Sequence, residues 1–167
     1  MNSKIKGINI IKLKSNIDDR GFFREIIRFD DTYKFDKVIN QVSHSHVKKK
    51  IFKGWHGHKS QLQINYVVNG KLSVFLYDDR IGSATNDYLE IYEINSSTPT
   101  IYTFEPGILH GYYTSNNEID IIYLTSSVYD PDQEVRKKFE YKNLNKLSQK
   151  NTLQKYFSQS NCSQKSD

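Results

Sequence analysis

His56 and His58, in the run Lys53-Gly54-Trp55-His56-Gly57-His58-Lys59-Ser60-Gln61-Leu62-Gln63, are the residues of this chain best suited to proton transfer or metal binding. An imidazole with an ordinary pKa of ~6.5 is partly neutral and partly charged near pH 7, so it can take or give a proton there. Residues two apart on a strand face the same side, so both rings point into one space. His110, in Glu105-Pro106-Gly107-Ile108-Leu109-His110-Gly111, and Gln63 can complete a ring around one point. Three imidazoles and an oxygen suit zinc, iron, nickel or manganese. The same rings without a metal suit acid–base chemistry at carbon. His44 and His46 read as exposed residues without a role. Tyr123, taken alone, reads as a core tyrosine, and Trp55 as packing or a wall on which a sugar stacks.

The chain that carries these groups reads as strands almost throughout. Alternating apolar residues mark strands at 5–13, 22–29, 38–45, 52–57, 61–69, 71–77, 88–94, 100–104, 109–115 and 119–126. Asn16 to Gly21 carries turn chemistry, Lys48-Lys49-Lys50 reads as a solvated hairpin tip, and Asn69-Gly70 is a two-residue hairpin signal. Residues 30–37 read as a short helical turn, and Gln133 to Phe139 as helical. Many short strands with little helix predict an all-β sandwich or barrel of the jelly-roll kind.

At 167 residues the chain predicts a single domain over 1–148, followed by a polar tail over 149–167 that is partly disordered. Only 37% of residues are hydrophobic, but 13% are aromatic and twelve are tyrosine, which suits a sheet with polar, aromatic-lined cavities. The net charge of +5 reads as solubility or as affinity for a small anionic ligand, because no nucleic-acid motif accompanies it. A single cysteine, Cys162, cannot form an internal disulfide. With no apolar run long enough for a membrane span and no apolar signal core, the expectation is a cytoplasmic protein without nucleic-acid or membrane partners.

Gly54-x-His56-x-His58-x4-Gln63-x6-Gly70 with Pro106-Gly107-x2-His110 resembles the two cupin motifs, whose fold is a jelly roll (double-stranded β-helix) that often holds a divalent metal. A broader resemblance runs over residues 15–135. Asp19-Arg20-Gly21-Phe22-Phe23-Arg24-Glu25, Gln41, Lys53-Gly54-Trp55-His56, Asp78-Asp79-Arg80-x2-Ser83, Pro106-Gly107-x2-His110-Gly111, Tyr123 and Tyr129-x-Pro131-x2-Glu134 occur in the order found in the dTDP-4-dehydrorhamnose 3,5-epimerase family. That resemblance implies a metal-free and cofactor-free cupin enzyme acting on a nucleotide-linked 4-keto sugar, with a short C-terminal helical segment.

It also implies roles. His56 matches the family's base and Tyr123 its acid. Arg20, Phe23 and Glu25 match nucleotide-binding residues that commonly reach the site from the neighbouring subunit of a homodimer through exchange of N-terminal strands. Gln41 and His110 match residues that line the sugar pocket, Gln63 falls where the family has the lysine that stabilises the enolate, and Lys53 stands at an arginine of the substrate-binding part. Three positions depart from the pattern: Lys53 replaces an arginine, Gln63 a lysine, and Asn151, in Leu147-Ser148-Gln149-Lys150-Asn151, the aspartate that orients the base. Lys59 has the wrong strand parity to replace the lysine. Three competing readings remain: a 3,4-ketoisomerase, suggested by His56-Gly57-His58-Lys59; a metal-dependent cupin using His56, His58, Gln63 and His110; and a sugar-nucleotide binder without catalysis.

Overall fold

Strand alternation builds this molecule. In β10 (Ile108–Thr114), Ile108 and Tyr112 face an apolar interior while Leu109 and Tyr113 join a separate aromatic cluster on the opposite face. The computed structural model describes residues 3–29 and 38–137. The expected helical turn at 30–37, the segment 147–151 and the tail lie outside those residues.

Among the described residues, two five-stranded antiparallel sheets face each other. The first runs in the order β1 (Ile8–Lys12), β9 (Thr100–Phe104), β6 (Gln63–Asn69), β11 (Ile119–Thr125), β4 (Gln41–Val47). The second runs β12 (Glu134–Arg136), β5 (Phe52–His58), β10, β7 (Lys71–Asp78), β8 (Leu89–Asn95). From β4 onward consecutive strands alternate between the sheets, except for the β7–β8 pair. This is the two-sheet antiparallel arrangement expected of a jelly roll.

The chain breaks at Asn69-Gly70, but β6 and β7 do not pair with each other as the hairpin signal predicts. β6 pairs with β9 and β11, and β7 with β8 and β10. The turn instead carries the chain from one sheet to the other. Gly70 has φ +87, and a Cβ there would strike the carbonyl of Glu118 and the amide of Asn117 in the β10–β11 connection.

Two other expectations change. The strand expected over 22–29 is regular only at Gly21–Phe23 (β3), which pairs with Asn16–Asp18 (β2) in a small hairpin outside both sheets. Its residues are exposed throughout, with too little apolar contact to extend the pairing. The helix expected over 133–139 is, in its described part, the end of a 3-10 turn (Pro131–Gln133) followed by β12, because the 134–136 backbone finds β5 as a partner.

The apolar core lies between the sheets, where Ile8, Ile10 and Ile121 of the first meet Leu72, Val74 and Leu76 of the second. Trp55 sits in the aromatic cluster on the far side of the second sheet with Phe75, Leu109 and Tyr113, so it is packing.

Candidate active site

A polar cavity of about 170 Å³ opens between the sheets, with Val74 of the core in its lining. The second sheet supplies His56, His58, His110 and Tyr112, and the first supplies Gln63, Asn65, Tyr102 and Tyr123.

Strict alternation would put Lys53 on the opposite face from His56. The β5–β10 register corrects this: His110 pairs with His56, Gly111 with Gly54, and Tyr112 with Lys53, leaving Trp55 as a bulge residue. The extra residue flips the parity, so Lys53 lines the cavity together with His56, while Trp55 points to the aromatic cluster. Close strand approach at this point requires glycine on both sides: a Cβ on Gly54 would stand 2.8 Å from Gly111 Cα. Lys53 is the one cation lining the cavity among the described residues. Lys59 is directed away, its Nζ donating to the Asp132 carbonyl.

His56 has a carboxylate partner. Glu134 Oε1 lies 2.7 Å from His56 Nδ1, and Arg136 Nε donates to Glu134 Oε2 at 3.2 Å. Burial pushes the Glu134 carboxyl up, but the bonds from His56 and Arg136 outweigh it and hold the carboxyl below its usual range. A carboxylate can only accept, so Nδ1 carries the hydrogen and Nε2 is left as the proton acceptor. Asn151, which stands at the family's aspartate position and supplies no carboxylate, lies outside the described residues. Glu134 belongs to a motif read from the sequence, but pairing it with His56 required β12 to join β5, and no local signal announces that.

The other two histidines are neutral. Burial lowers the pKa of His58, and burial with the neighbouring His58 and His56 takes that of His110 down to about 3. His110 packs against Phe104 at 4.4 Å and stacks on His58 at 5.7 Å between ring centroids. Its Nδ1 is buried without a hydrogen-bond partner. Among the described residues no group of three or more His, Cys, Asp or Glu is placed to hold a metal ion; the rings stack side by side and do not converge on a point.

Gln63 donates to Asn65 Oδ1 at 2.7 Å, and Asn65 in turn to the Tyr102 carbonyl, so the amide is fixed in a neutral chain of hydrogen bonds. Tyr123 Oη lies 2.9 Å from Tyr112 Oη. The structure thus brings His56, His58, Tyr123, Lys53, Gln63 and His110 together in one cavity, and adds Asn65, Tyr102, Tyr112 and Glu134 to its lining.

The remaining expected residues lie elsewhere in this chain. Arg20, 84% exposed in its side chain, pairs with Asp18 in the β2–β3 turn. Phe23 is exposed, and Glu25 pairs with Arg28 at 3.2 Å. Gln41 is held by Ser43 Oγ and by the Tyr129 backbone N–H rather than by cavity residues. Asp78, fully buried, accepts from Arg80, Ser83 and Thr85, so that motif ties down the β7–β8 loop. His44 and His46 are exposed and pair with Asp120.

Comparison with known proteins agrees with this geometry. The spore coat polysaccharide biosynthesis protein SpsL of Bacillus subtilis is 31% identical over 138 residues, covering 82% of this chain and 90% of SpsL. The probable low-salt glycan biosynthesis epimerase Agl13 of Haloferax volcanii is 28% identical, covering 78% and 86%. The fold is shared with a dTDP-6-deoxy-D-glucose-3,5-epimerase of Legionella pneumophila solved with dTDP-4-keto-L-rhamnose, at TM-score 0.80 and 22% identity over 92% of this chain and 89% of that one. Two facing antiparallel sheets, a histidine backed by a carboxylate, and a tyrosine in the same cavity meet a family model that matches residues 2–145: this chain belongs to the dTDP-4-dehydrorhamnose 3,5-epimerase family.

Proposed function

We propose that this protein epimerises C3, C5 or both in a nucleotide-diphosphate-linked 4-keto-6-deoxy sugar, serving the synthesis of a surface polysaccharide. The observation that carries this reading is the Glu134 carboxylate 2.7 Å from His56 Nδ1, in a cavity that Tyr123 also lines. The 4-keto group acidifies the neighbouring C–H bonds. His56 Nε2 takes the proton, and Glu134 stabilises the imidazolium that forms. Tyr123 returns a proton to the opposite face, restoring the ketone with inverted configuration.

The enolate needs donors aimed at its oxygen. Lys53 is the charged candidate and Gln63 contributes at most an amide N–H. Arg20, Phe23 and Glu25 serve a neighbouring copy's site in a homodimer: their exposure and the absence of cavity contacts within their own chain support that reading. Arginine suits a pyrophosphate because it can bond two acceptor oxygens at once. Among the described residues no helix is long and apolar enough to cross a membrane. A nucleotide-activated substrate is in keeping with work in the cytoplasm.

Incubation in D2O with dTDP- and GDP-linked 4-keto-6-deoxy sugars tests the proposal. Deuterium enters at C3 or C5, inverted product forms, and His56→Asn abolishes both; binding without exchange from any of these substrates sinks it. One observation favours a second reading, carbonyl migration between C3 and C4: His58 lines the same cavity as His56 and is held neutral. A 3-keto product would establish that reaction instead.

A further inference from the structure

Two residues of the sequence motifs have no place in the chemistry above: Lys59, which follows the histidine pair, and Asp79, which follows the buried Asp78. Both bear on β12, the strand that carries Glu134. Lys59 Nζ donates to the Asp132 carbonyl at 2.9 Å, and the Lys59 backbone N–H to the Gln133 carbonyl at 3.1 Å. Asp79 accepts from Lys137 Nζ at 2.6 Å. The Lys137 backbone N–H donates to the Trp55 carbonyl at 3.2 Å. Glu134 stands between these two fastenings.

Little else fixes β12. It is three residues long and, among the described residues, lies at the edge of its sheet and pairs with β5 alone. The 3-10 turn ahead of it buries no side chain, and within the strand Val135 packs on the aromatic cluster. So short an edge strand holds its register weakly, and a slip of one residue turns its side chains to the other face. The register also sets Glu134 opposite His58, with Arg136 opposite His56. The carboxylate therefore reaches His56 Nδ1 across the diagonal, a contact that a shift along β5 would break.

The fastening at Lys137 closes a ring of hydrogen bonds. The Gly107 N–H donates to the His58 carbonyl at 2.9 Å, and the Asp79 N–H to the Gly107 carbonyl at 3.3 Å. Lys137 then joins the Asp79 carboxylate to the Trp55 carbonyl. The path leaves β5 at Trp55 and returns to it at His58, so it brackets His56. Asp79 is itself anchored, because the neighbouring Asp78 accepts from Arg80, Ser83 and Thr85 and ties down the loop.

We infer that Asp79, Lys137 and Lys59 are positioning residues for the reaction: they set the register of β12 and so keep the Glu134 carboxylate on His56 Nδ1. The inference rests on the epimerase reading above, and extends it from the histidine and its carboxylate to the groups outside the cavity that assemble them. With Glu134 in place the ring hydrogen stays on Nδ1, and Nε2 keeps the lone pair that takes the proton from carbon. With Glu134 displaced, the neutral ring is free to carry its hydrogen on Nε2, where it blocks that transfer. None of the three residues touches substrate, so their loss acts on turnover and not on binding.

The test uses the full chain with dTDP- and GDP-linked 4-keto-6-deoxy sugars, following deuterium wash-in. Asp79→Asn removes the charge that holds Lys137 but keeps the side-chain shape and the backbone bond to Gly107. It is expected to lower kcat about tenfold with KM unchanged. Lys59→Met, which keeps its backbone bond to Gln133, is expected to lower kcat about threefold. Melting temperatures stay near the wild-type value, since exposed pairs of this kind add little to global stability. In a Glu134→Gln background Asp79→Asn is expected to cost nothing more, because a fastening that acts through Glu134 has nothing left to hold. An equal loss in both backgrounds overturns the inference, as does a loss confined to KM or no loss at all. Should Asp79→Asn fail to fold, Lys137→Met breaks the same pair from the strand side and decides in its place. Nitrogen NMR of histidine-labelled protein, with the His56 signals identified from His56→Asn, gives a readout without substrate. The neutral His56 ring is expected to carry its hydrogen on Nδ1 in the wild type and to move part of it to Nε2 in Asp79→Asn and Lys137→Met. An unchanged ring in both variants refutes the fastening whatever sugar the enzyme takes. Absence of wash-in by the wild-type protein with every sugar, beside a ring that responds as expected, would instead count against the epimerase reading and leave the fastening established.

Discussion

The cavity and the β2–β3 hairpin both carry residues matched to substrate binding, and they are built in opposite ways. Cavity side chains come from paired strands of two sheets, where backbone register and hydrogen bonds such as Glu134 to His56 and Gln63 to Asn65 hold them. The hairpin has three residues per strand, exposes Ile17, Phe22 and Phe23, and holds Arg20 only through neighbours in its own turn. Proton transfer at carbon fails if a base moves by about an ångström, so it belongs on a rigid frame. Holding a charged, multi-dentate diphosphate tolerates looser placement, so on the proposed reading it can be left to an arm that a second copy completes.

The comparison can be broken by mutation, most severely at His56, the proposed base. His56→Asn is expected to lower exchange by ~10³-fold, within the usual range for a lost general base, with the melting temperature little changed. Comparable loss on changing Arg20 would mean that the two regions are not divided as described. Glu134→Gln follows, with an expected ~10²-fold fall in kcat and little change in KM, since it leaves the His56 ring in place but removes the charge that supports the imidazolium. A KM effect alone would reassign Glu134 to binding. Because the folded carboxyl lies below its ordinary value, its contribution to stability is present above the unfolded glutamate pKa and is lost as pH falls through the folded one.

Gly54→Ala tests the frame. The added Cβ meets Gly111 Cα, so a loss of ~1–3 kcal/mol in denaturant unfolding is expected, along with weaker activity as Lys53 is displaced. His110 provides a pH signature. Its folded pKa of about 3 lies below the unfolded value, so the unfolded chain binds the extra proton between the two. Stability is therefore expected to fall by up to ~1.4 kcal/mol per pH unit as pH drops below about 6.5, and His110→Phe should flatten that slope.

The smallest effect on the fold is expected from the hairpin. Arg20→Ala should change stability by less than ~0.5 kcal/mol while raising KM. Mixed dimers of Arg20→Ala with His56→Asn sharpen the distinction. If the arm crosses between copies, one hybrid site has both an intact cavity and an intact arm, and turnover at low substrate concentration, which neither parent shows, appears on mixing. If no such turnover appears in dimers verified by sedimentation, the arm serves its own chain.

Much of this molecule was legible from local pattern. Alternation located the strands from Phe52 onward to within a few residues, and the spacing of His56, His58 and His110 predicted rings on one cavity. These features depend on residues close in the chain, where side-chain period and turn chemistry act directly. The order of motifs, from Asp19 to Glu134, pointed to the family.

What the tertiary structure alone decided depends on which strands meet. Asn69-Gly70 announced a turn, but only packing sent β6 and β7 into different sheets. Lys53 reached the cavity because β5 bulges against β10 at Trp55, a shift that strand parity could not show. Glu134 became the partner of His56 when β12 joined β5, and Tyr112 met Tyr123 across two sheets. A sequence states what each side chain can do within a few residues of itself; the free energy that selects its distant neighbours is summed over the whole core, and so these pairings exist only once that core has formed.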